Sequence, residues 1–133
     1  MTIGGGAMKD NMSHFILRIL LGLLFVIPGL GKLMNPAMII GMLGGLGFPA
    51  PGFFGWLLLL SEIVFGLAVL VGYKVKWTVW PLVIVLAIAI LTVHLKTISD
   101  PAGMINVVFH LIGIAGLIVL ASGGPGAWAV SKE

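Results

Sequence analysis

The sequence predicts an all-α fold: a polytopic membrane four-helix bundle with a short interfacial or re-entrant helix between spans 1 and 2. Three observations carry that expectation. Of 133 residues, 60% are hydrophobic and only 8% charged, whereas a soluble domain carries about 25% charged residues to solvate its surface. Mean hydropathy is +1.24. The apolar residues gather into four runs, each long enough to cross ~30 Å of hydrocarbon at ~1.5 Å per helical residue.

The first run, about residues 13–33, follows a short Gly-rich polar tail (1–12) expected to be flexible, with Ser13 placed to cap the helix. No small-residue cleavage pattern follows the run, so it reads as a retained span. Asn35-Pro36 ends it, because proline disfavours helix in the residue before it. The Gly-laden apolar stretch from Pro36 to Pro51 is too short to span and too apolar for a solvated loop, hence the interfacial or re-entrant helix. The second span is about 54–73, and Lys74-Val-Lys76 makes a tight basic turn. The third is about 77–96, anchored by Trp77 and Trp80 at the interface. After Asp100-Pro101 comes the fourth, about 104–121. Ser122-Gly-Gly-Pro-Gly126 stops it and opens a C-terminal tail (123–133).

Composition also excludes whole classes. The net charge is +3, but the basic residues are scattered and form no stripe, so no nucleic-acid partner is expected. With no cysteine, thiol chemistry, thiolate metal sites and covalent haem attachment are ruled out, and no metal site is expected. The partner that remains is the lipid bilayer. Four spans put both termini and the Lys74/Lys76 turn on one side, which collects Lys9, Lys74, Lys76 and Lys132 against Lys32 and Lys96 opposite. The positive-inside bias therefore predicts a multi-pass protein of the cell membrane with both termini cytoplasmic.

Polar residues within the spans are the candidate site. Glu62 lies roughly 12 Å below the outer boundary, near the bilayer centre. A lone acid there costs ~2.5–3.5 kcal/mol to insert, so it calls for a partner or a task. His110, with Asn106 one turn above it, lies roughly 8 Å in from the same boundary. Lys32 and His94 approach from the ends of the first and third spans. Glu62 and His110 are the candidate catalytic groups for proton exchange; Arg18, Lys32, His94 and Asn106 are the candidate ligand-binding groups. Arg18, Gly22, Phe25, Gly29 and Lys32 form one helical stripe, as do Glu62 with Gly66 and Asn106 with His110 and Gly113. Glycines beside polar residues mark the faces where membrane helices approach, so these stripes are expected to face the bundle interior. Arg18 snorkels to the inner headgroups, lines the bundle as structure, or pairs with Glu62 across an axial gap of roughly 10 Å. Lys32 and Lys96 read as helix-end anchors.

Several segments resemble the DoxX family of small four-helix membrane proteins. They are Arg18-Ile-Leu-Leu-Gly-Leu-Leu-Phe, Gly29-x-x-Lys32-Leu33, Leu46-Gly-Phe-Pro49, Ser61-Glu-Ile-Val-Phe-Gly66 and the closing Gly124-Pro-Gly126, in that order. The resemblance implies a four-helix bundle and quinone-linked redox chemistry, since the family is similar to the quinone-reducing membrane subunit of thiosulfate:quinone oxidoreductase, and some members associate with other redox proteins. Arg18, Lys32 and Glu62 match recurrent polar positions of the pattern. Pro28 stands where the family often has histidine, and Ala127-Trp-Ala-Val-Ser131 lacks the usual Arg and Asp.

Three functions stand open. The first is a quinone- or lipophile-binding subunit of a membrane redox complex, its electrons arriving from a partner because nothing in the chain carries them. The second is a non-catalytic scaffold for redox partners. The third is a proton-coupled small-molecule transporter or channel using Glu62, in which case a homo-oligomer is expected. A b-type haem between His94 and His110 is disfavoured by their roughly 5–8 Å difference in depth.

Overall fold

The computed structural model describes residues 5–94 and 98–131. The helices are α1 (Gly5–Met34), α2 (Pro36–Gly45), α3 (Pro51–Val71), α4 (Val75–Ala89), which continues as a π-helical turn (Ile90–His94), and α5 (Pro101–Gly123). Four of these, α1, α3, α4 with its extension, and α5, are long and apolar enough to cross a membrane. Helix α1 begins at Gly5, well ahead of Ser13, because extending an existing helix by a turn is cheap once it is nucleated. It continues through Pro28, and α4 through Pro81; neighbouring helices make such prolines tolerable in membrane spans.

Each break has a local cause. Pro36, Pro51 and Pro101 occupy first-turn positions of α2, α3 and α5, where a missing N–H costs nothing. Gly72 ends α3 in the left-handed conformation at φ 76°, and the Thr78 hydroxyl donates back to the carbonyls of Tyr73 and Lys74.

Helices α1 and α3 pack antiparallel through glycines. A Cβ on Gly22 would sit 2.7 Å from Leu70 Cβ, one on Gly66 would sit 3.0 Å from Phe25 Cβ, and one on Gly29 would sit 2.8 Å from Ile63 and 3.2 Å from Glu62 Cβ. Such close backbone approach supplies the dispersion contacts that hold helices together in lipid. The predicted α1 stripe is the face used: Arg18, Gly22, Phe25 and Gly29 are all buried.

The main core joins α1, α3, α4 and α5 through Leu21, Phe25, Val69, Leu82 and Leu117. It fills the end of the bundle that carries both termini. At the opposite end α2 lies over α3, Ile39 and Leu43 packing on Leu59, with Ile40 pressed against Gly55.

Candidate functional site

Lys32 and Glu62 form an ion pair across the α1–α3 interface. The ammonium donates to both carboxylate oxygens, Oε1 at 2.9 Å and Oε2 at 2.7 Å. Gly29, one turn before Lys32, lets the Glu62 backbone approach. The Lys32 side chain leans toward the N-terminus of its own helix, as helical side chains do, and this carries Nζ about a turn deeper than its Cα. The pair is sheltered, with side-chain exposures of 27% for Lys32 and 7% for Glu62. Each charge alone would cost ~2.5–3.5 kcal/mol near the bilayer centre, so the pairing answers the question posed by the isolated acid.

The pair lines a cavity of about 580 Å³ that is otherwise walled by α2, α3, α4 and α5, within the range of ordinary small-ligand pockets. Its walls are apolar: Leu43 and Phe48 from the α2 side, Leu58 on α3, Val85 and Leu86 on α4. Leu57, Ile84 and Ile88 also line it while being half-exposed on the lipid-facing surface, so the cavity opens sideways between α3 and α4. Besides the ion pair, the polar lining comprises Ser61, Thr92 and His110.

The α4 wall ends in the π-turn. A π-helical turn inserts an extra residue per turn and commonly marks a functional position. Here the Thr92 hydroxyl donates back to the Ile88 carbonyl at 2.7 Å, and both residues face the cavity. On α5, His110 Nδ1 donates to the Asn106 carbonyl at 2.7 Å, because a carbonyl can only accept. That assigns the proton of a neutral ring to Nδ1 and leaves Nε2 as the acceptor nitrogen. The site therefore combines an acid, an ammonium and an imidazole around an apolar chamber, a set able to hydrogen-bond a polar head group and exchange protons with it.

Lys32, Glu62 and His110 thus line one cavity. Asn106 lies one turn from His110 with its side chain exposed. The side chain of His94, which closes the π-turn, lies outside the described residues, as does Lys96.

Arg18 is held elsewhere. It neither snorkels nor meets Glu62: at 1% exposure its guanidinium is enclosed by backbone carbonyls. Nε donates to Leu70 O at 3.2 Å, Nη1 to Pro125 O at 2.8 Å and Ala127 O at 2.9 Å, and Nη2 to Trp128 O at 3.3 Å. Residues 124–131, within the C-terminal tail, form a clasp across the bundle end. Gly124 O accepts from His14 Nδ1 at 2.8 Å; Ala127 N donates to Asn11 O, Val130 N to Val71 O and Ser131 N to Gly72 O. Trp128 meets Phe15 edge-on with ring centroids 4.9 Å apart. His14 lies one turn before Arg18 on the same stripe, so extending that stripe backwards in the sequence finds it.

Comparison with known proteins agrees with this architecture. The model of the family described as DoxX matches residues 13–95. The chain is similar to an uncharacterised membrane protein of Mycobacterium tuberculosis, 33% identical over 132 residues, covering 91% of this chain and 80% of that protein. No solved structure gives a significant match.

Proposed function

This chain belongs to the DoxX family of integral membrane proteins, and from that premise we propose that it binds a lipophile of the quinone class within the bilayer, as a subunit of a membrane redox assembly. The observation that carries the reading is the form of the cavity: an apolar chamber open toward lipid, with the Lys32–Glu62 pair in its lining. A ring with two carbonyls needs donors at both edges. Lys32 serves one edge and supports negative charge on it, while Glu62 and His110 give and take the protons that accompany reduction. Electrons come from a partner protein, since no side chain here stores them.

The test is lipophile retention. Protein purified in mild detergent should carry a quinone-class lipid at near one per chain, identified by mass spectrometry of the extract. Lys32→Met and Glu62→Gln should reduce it by about tenfold, the loss of ~1.4 kcal/mol of head-group interaction. Native protein with no lipophile above the detergent blank would sink the proposal.

The same reading sets both termini on the cytoplasmic face, supported by the basic turn at Lys74 and Lys76. A reporter fused after Glu133 should be shielded in intact cells; one reached from outside overturns the orientation.

A further inference from the structure

Lys32 borders two spaces. Beside the main cavity, a cleft of about 270 Å³ runs between α1 and α2, walled by Pro28, Gly31, Asn35 and Met38. Lys32, Ile39 and Met42 line both spaces, so a single layer of side chains separates them and the ammonium stands in that layer. The two openings differ in kind. The main cavity opens between α3 and α4 onto the apolar lateral surface. The cleft begins at Asn35, the polar residue that ends α1 at the membrane face opposite the termini, and descends about two helical turns to Pro28.

We infer that this cleft is a water-filled vestibule through which protons reach the ion pair from the membrane face opposite the termini, while the lipophile reaches the same pair from the bilayer. Two observations and one physical requirement support it. Lys32 lines the cleft while Glu62 does not, and Lys32 keeps 27% of its side chain exposed although Glu62 keeps 7%, so the side of the pair turned to the cleft is the lysine's. A cationic group is stable with a partly exposed surface at this depth only if water or another dipole covers that surface. The cleft is wide enough for several waters, with the ammonium and Asn35 as polar anchors. The proton path then balances: the ammonium passes a proton to the Glu62 carboxylate, the amine regains one from a hydronium ion arriving along the cleft water, and Glu62 passes its proton to the head group in the main cavity as the partner protein's electrons reduce it. This path rests on the lipophile reading for its destination, and on the cleft alone for its source.

The chain has no cysteine, so accessibility can be mapped with single introduced thiols, which react as thiolates and form thiolates only where water reaches. Gly31→Cys is the central probe, because a Cβ there meets nothing within 4 Å. Leu30→Cys is the control: it lies at the same depth and is 45% exposed, but on the face away from the cleft. Pro28→Cys tests the floor. In proteoliposomes with a membrane-impermeant cationic methanethiosulfonate on both sides, Gly31→Cys and Pro28→Cys should react at least about tenfold faster than Leu30→Cys. Rates at positions 28 and 31 no faster than at position 30 would overturn the vestibule. These rates need no bound lipophile, so they succeed or fail separately from the copurification experiment.

Discussion

The Arg18 guanidinium and the Pro125 carbonyl stand 2.8 Å apart while 107 positions separate them in the chain. That bond, with its companions to Ala127 and Trp128, ties the first span to the segment after the last. Arg18 is a fastener of the bundle end that carries the termini, while Lys32, Glu62 and His110 line the cavity on the other side of the core.

Replacing Arg18 by Met removes a buried fork of donors and leaves several buried carbonyls unpaired. At ~1–3 kcal/mol for each buried group left unsatisfied, a loss of at least about 3 kcal/mol is expected. It should appear as a lower unfolding midpoint in detergent and as faster proteolysis within residues 124–131. Arg18→Lys should not restore stability, since an ammonium lacks the planar fork that reaches carbonyls on several sides. Full stability in Arg18→Met would show that the clasp contributes nothing.

Glycine substitutions should separate packed from open positions. A Cβ at Gly126 would lie 2.5 Å from Phe15 N and 2.6 Å from Asn11 O, with φ at +82°, so Gly126→Ala should undock the clasp and destabilise by about 1–3 kcal/mol. Gly31, with nothing within 4 Å, should accept alanine with a gain of up to about 1 kcal/mol from helix propensity. Thermal melts of the two variants side by side decide this.

The ion pair makes a double-mutant cycle informative. Lys32→Met or Glu62→Gln alone breaks the pair, and Lys32→Met leaves a buried carboxylate without a counter-charge, which should cost ~3–5 kcal/mol. The double variant Lys32→Met/Glu62→Gln should recover most of that loss, giving a coupling of at least about 1 kcal/mol in denaturant titration. Additive losses would mean the two charges do not depend on one another.

Filling the cavity mouth should cost ligand and not fold. Leu57 lines the opening and is 49% exposed, so Leu57→Trp adds bulk there without overpacking the core. Lipophile retained after purification should fall by about tenfold, with the unfolding midpoint unchanged. Retention equal to the native protein would place the lipophile outside this chamber.

Much of the architecture was legible because charge is so scarce: four long apolar runs and their Pro, Gly and Lys punctuation locate the spans, and the stripe from Arg18 to Lys32 names the buried face of α1. The pairing of Lys32 with Glu62 was harder. Depth reckoned from Cα positions left Lys32 at the boundary, and only the N-terminal lean of a long side chain closes the gap. The ligands of Arg18 were hidden for a different reason. They are backbone carbonyls of a Gly- and Pro-rich segment, whose conformation, with positive φ at Gly124, Gly126 and Trp128, leaves no periodic signature. The π-turn at Ile90–His94 likewise has no residue pattern that announces it, as Ile-Leu-Thr-Val-His reads equally well as α-helix.

The clasp has a consequence for the order in which the protein is made. Arg18 enters the bilayer with the first span, but three of its four carbonyl partners belong to residues 125–128, which are synthesised only after the fourth span. Until then the nascent chain holds a guanidinium in its membrane helix with most of its ligands still untranslated. A product that stops short of Gly124 keeps that defect permanently. The guanidinium therefore gains most of its ligands only once all four spans have been made.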